Sequence, residues 1–269
     1  MMVLIKGAGD LASGVAARLY RSGFRVVMTE LPEPLLVRRG AAFGEAIYAG
    51  RAEVEGIVAV RTDGAGEGGA AAVAGILAAG EIPVLVDPEA SAGGALRPGV
   101  LVDAIMAKRN TGTRLTDAPL VIALGPGFTA GSDCHAVIET QRGHWLGRVY
   151  RSGAALPDTG SPGESGGVTD ERVLRAPVDG VFAAAAAIGD PVAAGQVIGS
   201  VAGVPVTALC AGVLRGIVRD GIRVTRGLKV GDVDPRGKRA HCFTISDKSL
   251  AVAGGVLEAI VAWEARSRA

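Results

Sequence analysis

The sequence has little net charge and little cysteine, and both shortages narrow the classes of protein to which it can belong. Its 269 residues carry a formal net charge of +1, which gives no electrostatic reason to expect nucleic acid or an anionic membrane as a partner. The three cysteines, Cys134, Cys210 and Cys242, are odd in number and far apart. This usage predicts a reduced, cytoplasmic protein without a disulfide framework.

Long apolar runs and aromatic side chains are also scarce. No apolar run approaches the roughly 18 residues of a membrane span. Lys6 and Asp10 interrupt the N-terminal stretch in which a signal peptide would have its hydrophobic region. Aromatic residues make up 4% of the chain, whereas there are 41 glycines. The core is therefore expected to consist of Val, Leu, Ile and Ala, as in buried parallel sheets.

The N-terminal segment predicts a strand, a tight turn, a helix and a second strand. The turn after Val3–Ile5 has the G-x-G-x-x-A spacing of a dinucleotide-binding turn. Gly7 lets the chain turn, Gly9 leaves room for a phosphate at the helix N-terminus, and Ala12 allows close helix–strand packing. Glu30 ends the second strand, where an acid can bond ribose hydroxyls.

Two interpretations of this turn stay open. In the first, Gly7–Asp10 binds the phosphates of a nucleotide-type ligand. In the second, the segment is a glycine-rich turn that binds nothing, because the carboxylate of Asp10 would repel a phosphate and would instead cap the helix.

A second cluster of polar residues follows the apolar run Val100–Val102. Asp103, and then Lys108, Arg109 and Asn110, combine an acid with positive charge and an amide. Such a set suits an anionic ligand that also accepts and donates hydrogen bonds. Alternatively, Asp103 pairs with a basic residue of its own loop and has a structural role.

A third cluster begins where the apolar run Leu120–Leu124 ends. Gly125, Gly127 and Gly131 lie within seven residues and let backbone N–H groups approach a ligand closely. The carboxyl ends of strands in an open α/β sheet line the ligand crevice. We therefore expect these glycines to converge with the second cluster near Gly7–Asp10.

Asp133 and His135 alternate along the chain and would share one side of an extended segment. They are interpreted either as a proton-transfer pair or as half of a metal site. Two ligands without a third are poor evidence for a metal, so no metal site is predicted. Cys134, between them, is interpreted as a small buried thiol rather than a nucleophile.

The second half of the chain contains a repeat after the loop-like stretch Ser152–Gly167. At an offset of 32 residues, Gly180 matches Gly212 and Gly189 matches Gly221, with further Gly and Val matches beyond them. This pattern resembles the biotinyl/lipoyl carrier, or barrel-sandwich, domain over Val173–Pro235. A carrier presents its modified lysine in the hairpin between the halves, but no lysine occurs between Lys108 and Lys229. A swinging-arm function is therefore excluded.

These patterns predict an α/β fold with four parts. A Rossmann-like parallel sheet domain is expected over residues 1–150 and a linker over 151–172. A small all-β barrel-sandwich domain (biotinyl/lipoyl-like) is expected over 173–236. The segment 237–269 ends in an apolar helix that would be insoluble alone, so we expect it to pack back on the first domain.

Several stretches of the sequence together resemble one family, the accessory proteins of selenium-dependent molybdenum hydroxylase systems, which are related in their Rossmann part to xanthine dehydrogenase maturation factors. The stretches are Lys6–Ala12, Met28–Glu30, Asp103–Asn110, Gly125–Gly131, His135–Thr140 and Gly231–Arg236. The resemblance implies a cytoplasmic role in maturing a molybdenum hydroxylase client. Together with the glycine-rich turn, the resemblance predicts an anionic cofactor, molybdopterin (the molybdenum cofactor) or NAD(P). It assigns no catalytic residue.

A stand-alone NAD(P)-dependent oxidoreductase is the alternative function. A dehydrogenase needs a substrate domain with a positioned acid or base. The β segment has no lysine before Lys229 and offers no obvious acid or base of this kind, which favours the accessory role.

Overall fold

The computed structural model describes residues 1–63, 69–160, 163–164 and 166–268. Contacts between residues divide the chain into two units. The first consists of Met1–Pro34, Ala42–Thr159 and Ile245–Ala269, and the second of Leu35–Ala41 and Gly160–Thr244. The glycine-rich stretch Asp63–Gly69, whose composition predicts a loop, and the loop-like stretch Ser152–Gly167 lie partly outside the described residues.

The first unit is built around a nine-stranded sheet. Its strands, with the short pair β8 and β11, are β1 (Met2–Lys6), β2 (Arg25–Glu30), β3 (Arg51–Val54), β4 (Ile57–Thr62), β5 (Ile82–Val86), β6 (Val100–Asp103), β7 (Leu120–Leu124), β8 (Thr129–Ala130), β9 (Ala136–Ile138), β10 (Val149–Tyr150) and β11 (Gly153–Ala154). The α-helices are α1 (Asp10–Arg21), α2 (Ala46–Ala49), α3 (Gly69–Ala78), α4 (Ala92–Leu96) and α5 (Asp247–Arg268).

The sheet has the order β10-β9-β7-β6-β1-β2-β5-β4-β3. The strands from β9 to β4 run parallel. The edge strands β10 and β3 are antiparallel to their neighbours. All parallel strands therefore present their carboxyl ends at one edge of the sheet.

Both faces of the central strand β1 are buried. Val3 and Ile5 belong to the core cluster that also contains buried residues of α1 and α5. Leu4 faces the other cluster, together with Val73 of α3 and Ala92 of α4. This is the continuous apolar burial that a parallel strand between two helical layers requires.

Helices α1 and α5 pack closely in the first layer. A Cβ added at Gly14 of α1 would lie 2.6 Å from the Cβ of Ser249 in α5. The helical N–H of Ser13 completes the first turn of α1 by donating to the carbonyl of Gly9 over 2.8 Å. Helix α5 thus covers the helix that follows the glycine-rich turn.

The second unit contains two four-stranded antiparallel sheets, of order β12-β19-β17-β14 and β16-β15-β13-β18. Their strands are β12 (Val173–Arg175), β13 (Gly180–Ala184), β14 (Pro191–Val192), β15 (Val197–Val201), β16 (Val204–Thr207), β17 (Gly212–Ile217), β18 (Arg223–Val224) and β19 (Lys229–Asp234). Leu35–Ala41 packs on this unit, since a Cβ at Gly216 would lie 2.6 Å from the carbonyl oxygen of Val37.

The predicted combination of a Rossmann-like domain with a biotinyl/lipoyl-like barrel-sandwich domain is wrong. The chain is a mixed α/β protein with a nine-stranded, mostly parallel sheet and separate antiparallel sheets. In a Rossmann sheet the third parallel strand pairs with the second. Here β5 lies between β2 and β4 and pairs with both, as Met28↔Val84 and Thr62↔Leu85 show.

A local hairpin accounts for the difference in strand order. Strands β3 and β4 pair through a two-residue turn in which Glu55 and Gly56 have φ of 50° and 79°. This is the left-handed geometry of a tight hairpin turn. The hairpin occupies the edge of the sheet, and the chain returns through α3 to place β5 inside it. None of the described helices is long and apolar enough to cross a membrane.

Candidate functional site

The glycine-rich turn brings the carboxyl ends of β1 and β6 into backbone contact. Gly7 has φ +91°, and its N–H donates to the carbonyl of Thr29 over 2.9 Å. A Cβ at this position would lie 3.0 Å from the carbonyl oxygen of Ala104 and 3.2 Å from the Cα of Ile105. Glycine is therefore required for both the torsion and the close approach.

Glu30, the last residue of β2, holds this turn. Its Oε2 accepts the N–H of Ala8 and its Oε1 accepts the N–H of Leu31, each over 2.8 Å. Burial raises the pKa of Glu30, and these two backbone bonds oppose the rise. Glu30 was predicted to bond a ribose, but both of its carboxylate oxygens accept hydrogen bonds from the protein itself.

The N-terminus of α1 carries no side-chain cap. Gly9 is the N-cap residue, in an extended conformation, and makes no side-chain hydrogen bond. Asp10 lies in the first turn, where a carboxylate interacts favourably with the helix dipole. The predicted phosphate position therefore lies next to a negative side chain.

A buried hydrogen-bonded triad lies where β1 and β6 end. Lys6 and Asp103 are paired in the sheet register. The Nζ of Lys6 donates to the Oγ1 of Thr113 over 2.8 Å, and that hydroxyl donates to the Oδ2 of Asp103 over 2.6 Å. Nζ is itself 3.9 Å from Asp103 Oδ2. All three residues are buried, so this positive charge is neutralised internally.

Asn110 organises the loop that carries Thr113. Its Oδ1 accepts the N–H groups of Gly112 and Thr113, and its Nδ2 donates to the carbonyl of Thr113, all over 2.8 Å. Of the four residues predicted to bind an anion here, Asp103 and Asn110 therefore form hydrogen bonds within the protein that stabilise the loop. Lys108 and Arg109 are exposed, and Lys108 Nζ is 3.7 Å from the carboxylate of Asp158.

The glycines after β7 meet the loop after β6. A Cβ at Gly127 would lie 2.5 Å from the Cα and 2.6 Å from the N of Arg109. A Cβ at Gly125 would lie 2.5 Å from the Oγ1 of Thr140, which follows β9. The structure thus brings together the predicted residues Gly7, Arg109, Gly125 and Gly127 at one edge of the sheet.

Asp133, His135 and Gly131 lie in the return from β7 to β9, away from this edge. Asp133 closes a turn by accepting the N–H of Thr129 over 2.7 Å. His135 precedes β9, and its Nδ1 accepts the N–H of Val121 near the amino end of β7 over 2.9 Å. Asp133 and His135 therefore bond to different backbone segments, and neither lies at the carboxyl edge.

Cys134 is fully buried in this return segment. Burial, reinforced by the nearby charge of Asp133, raises the pKa of Cys134 to about 12. A thiol with so high a pKa is protonated at neutral pH and is a poor nucleophile.

Two residues of this region were missed by the sequence analysis. Lys6 ends the apolar strand β1, and a charge at the end of a buried strand was the available signal. Glu139 follows β9 and is fully buried, with its carboxylate accepting the N–H groups of Thr140, Gln141 and Leu156 over 2.8–2.9 Å. Like Glu30, it satisfies backbone donors at the carboxyl edge.

The arrangement offers an anion three kinds of partner. They are the N-terminal N–H groups of α1, the backbone of glycine-dependent loops, and the exposed side chains of Lys108 and Arg109. Within the described part of the chain, no group of three or more His, Cys, Asp or Glu side chains is placed to hold a metal ion.

Comparison with known proteins gives one extensive sequence match. The Escherichia coli K12 protein YqeB, described as uncharacterized, is 48% identical over 260 residues, which is 97% of this chain. The match covers 47% of YqeB, so the chain spans about half the length of this relative. No model of a protein family matches the sequence.

Solved structures give slight likenesses. An aspartoacylase family protein from Mesorhizobium loti is 22% identical, with TM-score 0.23, over 24% of this chain and 23% of its own. A succinylglutamate desuccinylase/aspartoacylase from Rhodobacter sphaeroides is 25% identical, with TM-score 0.22, over 24% of this chain and 22% of its own. A product-bound ectoine utilization protein from Ruegeria pomeroyi is 14% identical, with TM-score 0.24, over 77% of this chain and 57% of its own. None of these carries an argument about function.

Proposed function

We propose that the first unit binds an anionic cofactor, of nucleotide or molybdopterin type, at the carboxyl edge of its sheet. The observation that carries the proposal is the convergence of the loops after β1, β6 and β7. Gly7 approaches the backbone at Ala104, and Gly127 approaches the backbone at Arg109, each with no room for a side chain. The region beyond the carboxyl ends of parallel strands is the usual ligand site of open α/β sheets.

The exposed charges at this edge of the sheet favour an anion. Lys108 and Arg109 are exposed, so they can form charge-assisted hydrogen bonds with phosphate or pterin oxygens. The pairing of Lys108 with Asp158 is exposed on both sides, and such pairs contribute only about 0–1 kcal/mol. An incoming anion can therefore displace Asp158 at little cost.

Glu30, Asp103 and Asn110 have positioning roles in this proposal. Glu30 fixes the Gly7–Asp10 turn through Ala8, and Asn110 fixes the loop that bears Lys108 and Arg109. A cofactor site needs its recognition groups held in place by such supporting bonds.

The biological role that we propose is maturation of a selenium-dependent molybdenum hydroxylase. It rests on the resemblance of six stretches of the sequence to the accessory proteins of such systems. The cofactor site then serves to hold molybdopterin or a nucleotide for delivery or modification. Contact with the client is transient, which a modest interface suits better than an obligate one.

Titration calorimetry with NAD, NADP and molybdopterin tests the cofactor site. In the double variant Lys108→Ala/Arg109→Ala we expect affinity for the bound ligand to fall about tenfold or more, because two charged donors are lost. The matched control is Arg25→Ala/Arg151→Ala, which removes two exposed arginines outside the carboxyl edge. It should bind like the parent, and both variants should keep the parental thermal midpoint.

Equal affinity in the parent and in Lys108→Ala/Arg109→Ala would show that the ligand does not bind at this edge. A separate assay tests the alternative function. Hydride transfer to NAD or NADP from an added small-molecule donor, in the absence of any partner protein, would favour a stand-alone oxidoreductase.

A further inference from the structure

Several large apolar side chains are exposed at the carboxyl edge of the nine-stranded sheet. Leu31 follows β2, Ile105 follows β6, and Trp145 lies in the loop between β9 and β10. Leu156 joins them, because its N–H donates over 2.9 Å to Glu139, which follows β9. These four residues, the apolar rim (Leu31, Ile105, Trp145 and Leu156), are between 39% and 48% exposed. Exposed apolar side chains that collect in one place mark sites of interaction.

The apolar rim borders the groups that we assign to the cofactor. The Cα of Ile105 would lie 3.2 Å from a Cβ at Gly7 in the glycine-rich turn. Leu156 is followed closely by Asp158, whose carboxylate is 3.7 Å from the Nζ of Lys108. A molecule that covers the apolar rim therefore also lies beside the proposed cofactor position.

The length of the apolar rim suits a protein better than a small ligand. Its members follow strands that are neighbours in the order β9-β7-β6-β1-β2. Neighbouring strands lie about 4.8 Å apart, so the chain leaves the sheet toward Leu31 and toward Trp145 at points about 19 Å apart. One heterocyclic ring covers only one or two of these side chains. A transient protein interface buries roughly 600 Å² on each partner, a patch about 25 Å across.

Trp145 is held in position before any partner binds. The guanidinium of Arg148 lies 4.0 Å from the centre of its ring, and the ring of His144 meets it edge to face with centroids 4.6 Å apart. A Cβ at Gly147 would lie 2.6 Å from the carbonyl oxygen of Ala251, so the base of this loop packs tightly on α5. Trp and Arg are frequent hot-spot residues of interfaces, and a side chain that is already ordered loses little entropy on binding.

The charges beside the apolar rim favour an acidic partner. The acids Glu30, Asp103 and Glu139 accept hydrogen bonds from within the protein. Arg109 and Arg148 are exposed, and neither forms an ion pair with a residue that the structure describes. Complementary charge on a partner then sets its orientation and speeds its association.

We propose that the apolar rim is the docking surface for the protein that receives the cofactor, and that this protein presents an apolar patch flanked by acidic groups. The inference rests on the proposed function, because it names the place where the hydroxylase client binds. Docking over this edge brings the client to the cofactor itself. The cofactor then passes between the two proteins without release into solvent.

Binding of the full chain to cofactor-free hydroxylase, purified from a strain that lacks this gene, tests the docking surface. In Leu31→Gln/Trp145→Gln we expect affinity for the hydroxylase, measured by biolayer interferometry, to fall about tenfold or more. The matched control, Leu209→Gln/Val261→Gln, also replaces two exposed apolar side chains, but neither follows the carboxyl end of a strand in the nine-stranded sheet. It should bind like the parent.

Substitutions at exposed positions seldom disturb folding, and an unchanged thermal midpoint verifies this for both variants. If the midpoint of Leu31→Gln/Trp145→Gln falls, the single variant Leu31→Gln takes its place, since Leu31 has no part in the packing of the β9–β10 loop. Its loss should weaken hydroxylase binding in the same direction. Added salt should slow association of the parent, because it screens the attraction between Arg148 and the acidic groups of the client.

Calorimetry with NAD, NADP and molybdopterin separates the docking surface from the cofactor site. Leu31→Gln/Trp145→Gln should bind the cofactor like the parent, whereas Lys108→Ala/Arg109→Ala should not. If the first variant instead loses affinity for the cofactor and keeps its affinity for the hydroxylase, the apolar rim contacts the cofactor and the docking proposal is wrong.

The docking proposal is also overturned if the parent does not bind the cofactor-free hydroxylase, or if Leu31→Gln/Trp145→Gln binds it as tightly as the parent. A parent chain that sediments as a dimer, and becomes a monomer in this variant, would assign the apolar rim to a second copy and would likewise overturn it. The maturation role is judged separately, by cofactor loading in the deletion strain. Incomplete loading there, with equal binding by variant and parent, contradicts the docking surface alone.

Discussion

Two residues with ordinary side chains, Met106 and Lys108, hold left-handed backbone torsions in the loop after β6. Their φ angles are 62° and 63°. For residues with a Cβ this conformation costs about 1–2 kcal/mol. The surrounding contacts enforce it, since Gly127 presses against the backbone at Arg109 and Asn110 ties the end of the loop to Thr113. Such strain is characteristic of segments that are shaped for binding.

Replacing Lys108 by glycine and by alanine separates its backbone from its charge. Lys108→Gly relieves the left-handed strain, so we expect it to be more stable than Lys108→Ala by about 0.5–1 kcal/mol in urea denaturation. Both should bind the cofactor more weakly, because both lose the ammonium group.

Arg109, whose φ is not positive, provides the control for this prediction. There the order of stability should reverse, with Arg109→Gly less stable than Arg109→Ala by about 0.5–1 kcal/mol. Lys108→Gly less stable than Lys108→Ala, which is the order expected at Arg109, would show that the torsion carries no strain.

Helix α5 stabilises the helix that follows the glycine-rich turn. It packs on α1 at Gly14, where a Cβ would be 2.6 Å from Ser249 Cβ and 3.2 Å from a side-chain methyl of Ile245. Overpacking of this kind forces helices apart and typically costs about 1–3 kcal/mol. The position of α1, and with it the N-terminus at the candidate site, depends on this contact.

Gly14→Ala is expected to destabilise the protein by about 1–3 kcal/mol, even though alanine is the better helix former by about 1 kcal/mol. Gly75→Ala is the matched control, because Gly75 is an exposed position in α3 with nothing placed within 4 Å of an added Cβ. It should stabilise by up to about 1 kcal/mol. Urea denaturation measures both, and Gly14→Ala as stable as Gly75→Ala would contradict the close packing.

At the level of elements, local patterns predicted several strands and helices but not which strands pair. Strand β1, helix α1 and strand β2 lie where apolar spacing and the glycine-rich turn placed them. The position of β5 between β2 and β4 is set by the hairpin β3–β4 and the return through α3, and no local pattern encodes it. The Rossmann prediction was wrong for this reason.

The same limit applies to the candidate site. Glycine spacing predicted the convergence of Gly7 and Gly127 with the loop after β6, because strand ends in a parallel sheet are forced together. The prediction that Asp133 and His135 share one side of the chain was wrong, because it holds only for an extended segment. Asp133 instead lies in a turn that bonds Thr129. The role of Glu30 was also not predictable, because it accepts a hydrogen bond from the N–H of Ala8, which lies near it only once the turn has folded.

At the scale of the whole molecule, the first unit has exposed cations beside glycine-dependent backbone, which the proposed cofactor-handling role requires. In the second unit, hydrogen bonds from Arg236 outweigh the effect of burial and lower the pKa of Asp234 to about 2. The proposed maturation of a hydroxylase has to be tested with the gene in its own host.

Deleting the gene in a host that makes a selenium-dependent molybdenum hydroxylase tests this role. We expect the hydroxylase polypeptide to accumulate with its molybdenum cofactor absent or incompletely loaded, as measured by elemental analysis of the purified enzyme, and its activity to be lost. The physical reason is that the folded enzyme is expected to enclose its cofactor, so the proposed carrier acts before closure. The parent gene and the Arg25→Ala/Arg151→Ala control should restore loading, whereas Lys108→Ala/Arg109→Ala should not. A fully loaded, active hydroxylase from the deletion strain would refute the maturation role while leaving the cofactor site of the first unit to be judged by its own titration.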